Sequence, residues 1–202
     1  MTKKNLLSII ITGFILSNCV DKYVSKDELK VYPLNVKNGV IKSVDKSGIQ
    51  IDVYFRPKDL IIAQELTPPV SKAELSKIKA QYDSLDYFIL RLARNGKEIE
   101  NRFISDPDRF SNVVSYLSGA LAERVYLVLE RDTIPALDAI YARTFGATSA
   151  TQVMLIFKSD LMHRNGEVKL FYDDNFFGTG LNEFQFAIKD IKRIPRLNFH
   201  TL

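Results

Sequence analysis

Short segments in which apolar and polar residues alternate, separated by turn residues, recur along most of this 202-residue chain. A period of two is the pattern of a β-strand with one buried face, and Gly, Asn or Pro between such segments favours turns. Residues 40–44 and 49–55 flank Ser47-Gly48, and Asn95-Gly96 is a second pair typical of a tight hairpin. Further strands are predicted at residues 59–66, 85–93, 124–130, 153–157, 168–172 and 183–188.

Three segments carry helix signals. Ser71 with Glu74 three residues later is a capping-box pattern and predicts a helix to about residue 80. Asp106 followed by Pro107 predicts a second helix, because it places a capping acid before a proline at the first helical position. Its apolar stripe follows at helical spacing: Phe110, Val113, Val114, Leu117 and Leu121. Residues 134–145 predict a short third helix, capped by Asp132 or Thr133 and carrying Leu137, Ile140 and Tyr141 on one face.

These elements predict an α+β, mainly β fold: an antiparallel β-sandwich-like domain with two or three short helices, formed by residues 31–202. The chain has one cysteine, so no internal disulfide is possible and the domain must be stabilised by packing. A hydrophobic content of 46% with 26% charged residues is the balance of a folded globular body and supplies enough apolar surface for one core.

The charge balance argues against a nucleic-acid partner. The formal net charge is +4, but without Lys3 and Lys4, which belong to the N-terminal segment discussed next, it falls to about +2. Binding to nucleic acid needs a concentrated positive face, and so nearly balanced a chain does not indicate one.

The N-terminus has the three zones of an export signal. Lys3 and Lys4 are followed by an apolar run at residues 6–16, too short for a transmembrane helix, which needs roughly 20 apolar residues. The run ends in Leu16-Ser17-Asn18-Cys19. This ending resembles the lipobox of bacterial lipoproteins, in which an aliphatic residue and two small residues precede an invariant cysteine. Asn18 departs from the usual Gly, Ala or Ser and is similar to the relaxed form found in Bacteroidetes-type bacteria and spirochaetes.

The resemblance implies that Cys19 carries diacylglycerol in a thioether and that the signal is cut between Asn18 and Cys19. Residues 1–18 are then the signal peptide, and residues 19–30 the lipidated cysteine with a short polar linker. Several acyl chains hold a protein stably on a membrane, since each buried methylene contributes about 0.8 kcal/mol. Val20 stands where an aspartate would signal inner-membrane retention, which favours the outer membrane, with the leaflet left open.

One loop is the main candidate for binding a ligand or a partner. It comprises Asp173, Asp174, Asn175, Phe176, Phe177, Gly178, Thr179 and Gly180. Acids and glycines of this kind also build an ordinary turn between two strands, which is the interpretation we favour. The spacing is not that of an EF-hand and the glycines lack a P-loop lysine, so neither a metal nor a cofactor is predicted.

Other polar groups form no recognisable catalytic motif. His163 and His200 lie outside any metal-binding or triad pattern, and Asp132 and Asp138 would need to converge to act as an acid–base pair. The C-terminal segment is basic and could face anionic lipid, an acidic partner or only solvent; its side chains are Lys189, Lys192, Arg193 and Arg196.

The functional prediction is therefore a non-catalytic one. We expect a membrane-anchored lipoprotein that binds a protein partner or serves as a structural component in an envelope assembly, such as a secretion or surface-polymer machine. Two alternatives stay open. One is a hydrolase of cell-wall or glycan substrates that uses the carboxylates of Asp132, Asp138, Asp173 and Asp174. The other is a carrier of a small ligand or lipid, whose strands would enclose an apolar cavity.

Overall fold

Twelve strands and five α-helices are formed in the computed structural model, which describes residues 22–67 and 70–201. The strands are β1 (Tyr23–Val24), β2 (Ile41–Lys46), β3 (Ile49–Arg56), β4 (Asp86–Arg94), β5 (Lys97–Glu98), β6 (Val125–Leu129), β7 (Asp132–Pro135), β8 (Asp138–Tyr141), β9 (Thr151–Phe157), β10 (Glu167–Asp174), β11 (Gly180–Ala187) and β12 (Arg196–Leu197). The helices are α1 (Lys26–Val31), α2 (Lys58–Glu65), α3 (Lys72–Gln81), α4 (Pro107–Ser115) and α5 (Ile188–Lys192). None of these helices is long and apolar enough to cross a membrane.

Two antiparallel sheets pack face to face. The larger has the order β2-β3-β4-β9-β8, with β5 added to β4, and the smaller has the order β11-β10-β6-β7. The chain passes from one sheet to the other between β7 and β8, where the Ala136 N–H donates to Val125 and the Leu137 N–H donates to Ile156. The predicted α+β sandwich is confirmed, although helix (35%) nearly equals strand (37%) and more helices form than the two or three expected.

Phe88 lies at the centre of the main core. Its ring centroid is 5.3 Å from that of Phe55 and 5.9 Å from that of Phe157, both on neighbouring strands of the larger sheet. It is also 5.4 Å from Phe186, which belongs to the facing sheet. The buried side of α4 and of the π-helical turn after it closes the core with Val113, Leu117 and Leu121, three members of the predicted stripe.

Turn and cap signals in the sequence are mostly confirmed. Ser47 and Gly48 join β2 to β3 with positive φ angles, and Asn95 and Gly96 do the same between β4 and β5. Ser71 accepts a hydrogen bond from the backbone N–H of Glu74 at the start of α3, and Asp106 accepts one from Arg109 at the start of α4. Short-range signals succeed here because each acts on its own few residues.

The strand predicted at residues 59–66 is wrong, because this segment forms α2. As a helix it buries Leu60, Ile62 and Ala63 in a second, smaller core cluster beside Leu29 and Leu197. A short apolar run fits either element, and here packing against that cluster decides in favour of the helix.

The helix predicted at residues 134–145 is also wrong, because the segment forms parts of β7 and β8. Asp132 starts β7 instead of capping a helix, and it pairs with Leu129. Ile140 pairs with Met154 on β9. Pairing with β6 and then with β9 satisfies the backbone in both sheets, which outweighs the local helical spacing.

The fold begins earlier than the predicted boundary at residue 31. Tyr23 and Val24 pair in parallel with Arg196 and Leu197, and α1 follows within the segment expected to be a linker. Ser25 and Glu28 form a capping box at its start, a signal that is visible in the sequence. Residues 1–21, with the predicted signal and Cys19, lie outside the described residues.

A leucine in this segment tests whether it is part of the fold. Leu29 is fully buried, so Leu29→Ala should lower the free energy of unfolding by about 2–4 kcal/mol. Leu34→Ala is the matched control, because Leu34 is 45% exposed and should change stability by about 0.5 kcal/mol or less. Urea unfolding measures both. Equal, small effects would mean that the segment is a linker after all.

Candidate functional site

A cavity of about 340 Å³ opens beside the segment that follows β8. Its walls come from β5, the 3₁₀ turn Ile99–Phe103, the start of α4 and the chain after Tyr141. Apolar side chains, two buried glutamates, an amide and one arginine line it: Glu98, Glu100, Asn101, Ile104, Pro107, Phe110, Arg143 and Phe145. Small-molecule sites commonly combine mostly apolar walls with a few fixed polar groups, so this cavity is the candidate site.

Glu98 organises one wall of the cavity. Its carboxylate is 1% exposed and accepts hydrogen bonds from the Gly146 N–H (2.7 Å), from the Thr148 N–H (3.1 Å) and hydroxyl (2.7 Å), and from the Thr144 hydroxyl. Burial alone would raise the pKa of Glu98, but these donors together lower it below its usual value of 4.5. Four donors occupy the lone-pair sites of a carboxylate, so the role of Glu98 is to hold residues 144–148 in place.

Phe145 lies in the turn that Glu98 holds. The Ala147 N–H donates to Thr144 (3.0 Å), and the two central residues, Phe145 and Gly146, have φ angles of 55° and 81°. Glycine adopts such angles freely, whereas a bulky L-residue does so at a cost of roughly 1–2 kcal/mol. Phe145 is nevertheless 79% exposed, so burial of its side chain in the core does not offset this strain.

The exposed ring of Phe145 covers an arginine. The Arg143 guanidinium carbon lies 4.4 Å from the centroid of Phe145 and 4.5 Å from that of Phe110, so two aromatic rings contact it. No carboxylate of the described residues forms an ion pair with Arg143, and none of their acceptors takes a hydrogen bond from its guanidinium. The guanidinium is exposed to solvent and lies against two rings, and its N–H donors bind no acceptor of the described residues.

Glu100 lies at the inner wall of the cavity. It is 2% exposed and accepts one hydrogen bond from the Tyr141 hydroxyl (2.7 Å) and another from Thr151. Burial, followed by the hydrogen bond to Glu100, raises the pKa of Tyr141 above its usual value. Thr151 in turn accepts the Ile99 N–H at 2.8 Å, so this wall is a connected network.

The predicted ligand or partner loop, residues 173–180, is a hairpin turn joining β10 to β11, as we favoured. The Asp174 carboxylate accepts from the N–H groups of Phe176 (2.9 Å), Phe177 (2.8 Å) and Thr179 (2.8 Å), and from the Thr179 hydroxyl. Phe176 stacks on Tyr116 with centroids 4.5 Å apart. The two phenylalanines thus pack the turn against the end of α4, as expected for residues covering the edge of the core. Asn175 and Gly178 complete the turn, whereas Asp173 and Gly180 belong to the strands that it joins.

The acids considered for hydrolysis do not meet. Asp132 pairs with Leu129, which lies opposite Val168 at the start of β10. Asp174 lies six residues further along that strand, about 20 Å away at ~3.4 Å per residue. Asp138 lies in the other sheet, paired with Ile156. These carboxylates form no pair around a common substrate position.

The two histidines also stay apart from the cavity. His163 Nδ1 lies 2.6 Å from Asp160, in a shallow pocket that includes Ser84, and His200 is exposed near the end of the described chain. No group of three or more His, Cys, Asp or Glu side chains in the described ranges is arranged to hold a metal ion.

Sequence reasoning missed the cavity. Glu98 and Phe145 are 47 positions apart, and nothing local indicates that a carboxylate after one hairpin holds a turn in another loop. The Phe-Gly pair at 145–146 between two threonines was a turn signal, but it fell within a segment predicted as helix.

Comparison with protein-family models, with curated proteins and with solved structures gave no match.

The role of Glu98 predicts a pH-dependent stability difference. Because the folded-state pKa of Glu98 is lowered, its carboxylate stabilises the fold above pH 4.5, and this contribution is lost as pH falls through the folded pKa. Glu98→Gln should therefore reduce the free energy of unfolding by about 1–3 kcal/mol near neutral pH. Urea unfolding from about pH 7 to about pH 3 should show this difference narrowing below pH 4.5.

Glu123→Gln is the control, because Glu123 is exposed, and it should match the unchanged protein across this range. A Glu98→Gln difference that grows on acidification would contradict the assignment.

Proposed function

We propose that this protein is a lipid-anchored, non-catalytic binding component of a bacterial cell-envelope assembly, attached through Cys19 to the outer membrane. The anchor rests on the sequence: a basic start, an apolar run at residues 6–16 and the lipobox-like Leu16-Ser17-Asn18-Cys19. The partner is expected to be another envelope protein, and the cavity beside Phe145 is the proposed binding site.

The strained, exposed Phe145 is the observation that carries the assignment of the site. Backbone strain of about 1–3 kcal/mol at a non-glycine residue is characteristic of binding and active sites, where it positions a side chain. Here a buried carboxylate, Glu98, holds the strained turn in place. This turn exposes the ring of Phe145 to solvent at the rim of the candidate cavity.

The unused hydrogen-bonding groups indicate what enters the cavity. Glu98 is occupied by four donors, whereas Arg143 and the Asn101 amide donate to none of the described acceptors. Arg143 is fixed by aromatic contact, and its planar fork suits a carboxylate. Ile104 and Phe145 add exposed apolar surface around it. We therefore propose that the partner contributes a carboxylate joined to an apolar or aromatic group.

The alternatives receive less support. A hydrolase based on Asp132, Asp138, Asp173 and Asp174 needs carboxylates that converge. Asp132 and Asp138 lie on strands other than β10, and the adjacent Asp173 and Asp174 on β10 point to opposite faces of their sheet. A lipid carrier needs space between the sheets, whereas Phe88 there contacts aromatic rings of both sheets.

A small aromatic carboxylate tests the cavity. N-acetyl-phenylalanine should bind the detergent-solubilised full-length protein, and its uncharged amide should bind at least about tenfold more weakly, a difference of about 1.4 kcal/mol. Arg143→Gln should abolish the preference for the acid, since the guanidinium fork is lost. Arg131→Gln, at the exposed turn between β6 and β7, is the control and should bind as the unchanged protein does. Calorimetry measures each affinity.

Phe145→Asn separates binding from folding. Asparagine tolerates a positive φ, so the substitution should relieve roughly 1–2 kcal/mol of backbone strain. This gain in stability should exceed the ~0.5–1 kcal/mol lost when the exposed cation–π contact with Arg143 is removed. The variant should therefore be slightly more stable yet bind the acid more weakly. Acid and amide binding alike, or Arg143→Gln binding unchanged, would refute the carboxylate proposal.

Cys19→Ser tests the anchor. If Cys19 accepts the thioether-linked lipid, cells fed a labelled fatty acid should label the unchanged protein and not this variant, because serine has no sulfur to form the thioether with diacylglycerol. Labelling is read from a gel of membrane fractions. If the protein without the substitution is unlabelled and is released into the soluble periplasm, the anchor and the proposed localisation are falsified.

A further inference from the structure

One side of the domain exposes large apolar side chains close to the proposed tether. Tyr23 is 64% exposed, Val31 62%, Leu34 45% and Val36 72%. Tyr23 lies in β1 and Val31 at the end of α1, and Leu34 and Val36 lie in the short 3₁₀ turns between α1 and β2. Exposed apolar residues concentrated in this way indicate a surface that contacts something.

Basic side chains from both ends of the described chain surround these residues. Tyr23 is the register partner of Arg196, and the Tyr32 hydroxyl donates to the backbone carbonyl of Arg193 (3.4 Å), which brings the basic C-terminal segment beside α1. We define the tether-side surface as the four apolar residues together with Lys22, Lys26, Lys30, Lys37, Lys192, Arg193 and Arg196.

The acids on this side do not cancel its charge. Asp27 pairs with Lys30 (2.9 Å), Asp190 pairs with Arg193 (3.3 Å), and the Glu28 carboxylate accepts from the backbone of Ser25. The remaining lysines and Arg196 have no carboxylate within salt-bridge distance among the described residues. The tether-side surface thus has seven basic side chains, of which Lys30 and Arg193 form ion pairs with carboxylates of the described residues.

We propose that the tether-side surface lies against an anionic lipid surface, with Tyr23, Val31, Leu34 and Val36 entering the headgroup region. This inference rests on the lipid anchor proposed above. Cys19 is four residues from Tyr23, so an extended chain allows a separation of at most about 14 Å. A domain held this close to a membrane meets it with the surface next to the tether.

The composition of the surface suits lipid. Apolar and aromatic side chains surrounded by Lys and Arg are the combination by which interfacial segments bind membranes. Each basic residue near an anionic leaflet is attracted by its negative surface potential, and the apolar side chains add burial in the headgroup region. A protein partner or a second copy of the chain would have no such reason to meet the face beside the tether.

The protein contains no tryptophan, so one introduced tryptophan reports on its own position. Val36→Trp places it on the tether-side surface. Leu181→Trp places an equally simple reporter on β11 of the smaller sheet, where Leu181 is 53% exposed and its backbone carbonyl accepts from Lys46 at the end of β2. Both acylated full-length variants are reconstituted into phosphatidylcholine vesicles with and without phosphatidylglycerol.

In phosphatidylglycerol vesicles, Val36→Trp should show blue-shifted emission and at least about twofold more quenching by brominated lipid than Leu181→Trp. Adding Lys37→Glu and Arg196→Glu should remove that difference, as should vesicles without phosphatidylglycerol.

Equal quenching of both reporters on vesicles that carry the acylated protein would overturn the inference but leave the anchor intact. A blue shift in detergent that grows with protein concentration would assign this surface to self-association instead. Protein that is not acylated would overturn the anchor and this inference together.

Discussion

Burial of aromatic rings between the two sheets is the interaction on which the rest of the structure depends. The chain has one cysteine, so no internal disulfide can stabilise the domain, which relies on contacts such as those of Phe88 with Phe55, Phe157 and Phe186. Because these contacts join strands distant in sequence, both sheets must form for either to be stable. Loops at the edges of the two packed sheets can then adopt strained backbone conformations without unfolding the domain.

Two turns at the edges of the sheets are each held by a buried carboxylate but differ in backbone strain. Asp174 and Glu98 each hold a turn through several hydrogen bonds from backbone N–H groups and threonine hydroxyls. In the first turn, Gly178 and Gly180 take the positive φ angles, and Phe176 packs on Tyr116. In the second, Phe145 takes one of them and faces solvent. A buried carboxylate therefore holds an unstrained turn at Asp174 and a strained turn at Glu98. The strained turn borders the cavity.

Much of the fold could be predicted from the sequence, because hairpin turns and helix caps act over a few residues, as at Ser47-Gly48, Ser71 and Asp106. The errors occurred where tertiary contacts decide between two local options. Residues 58–65 form a helix because Leu60 and Ile62 reach the smaller cluster, and β8 is a strand because β9 offers its edge. The cavity was beyond prediction for the same reason: its parts, from Glu98 to Phe145, converge only in the folded chain, whereas the residues 173–180 were found because a turn is local.

The pairing of β1 with β12 has a consequence for the order of events during synthesis. Tyr23 and Val24 emerge among the first residues of the domain, but their partners Arg196 and Leu197 emerge among the last. The sheets can form while the chain is still growing, yet the segment next to the proposed tether stays unpaired until nearly all of it has been made. If the chain is exported through the proposed signal, the export apparatus meets a chain whose first strand is still unpaired, and β1 pairs with β12 only after translocation.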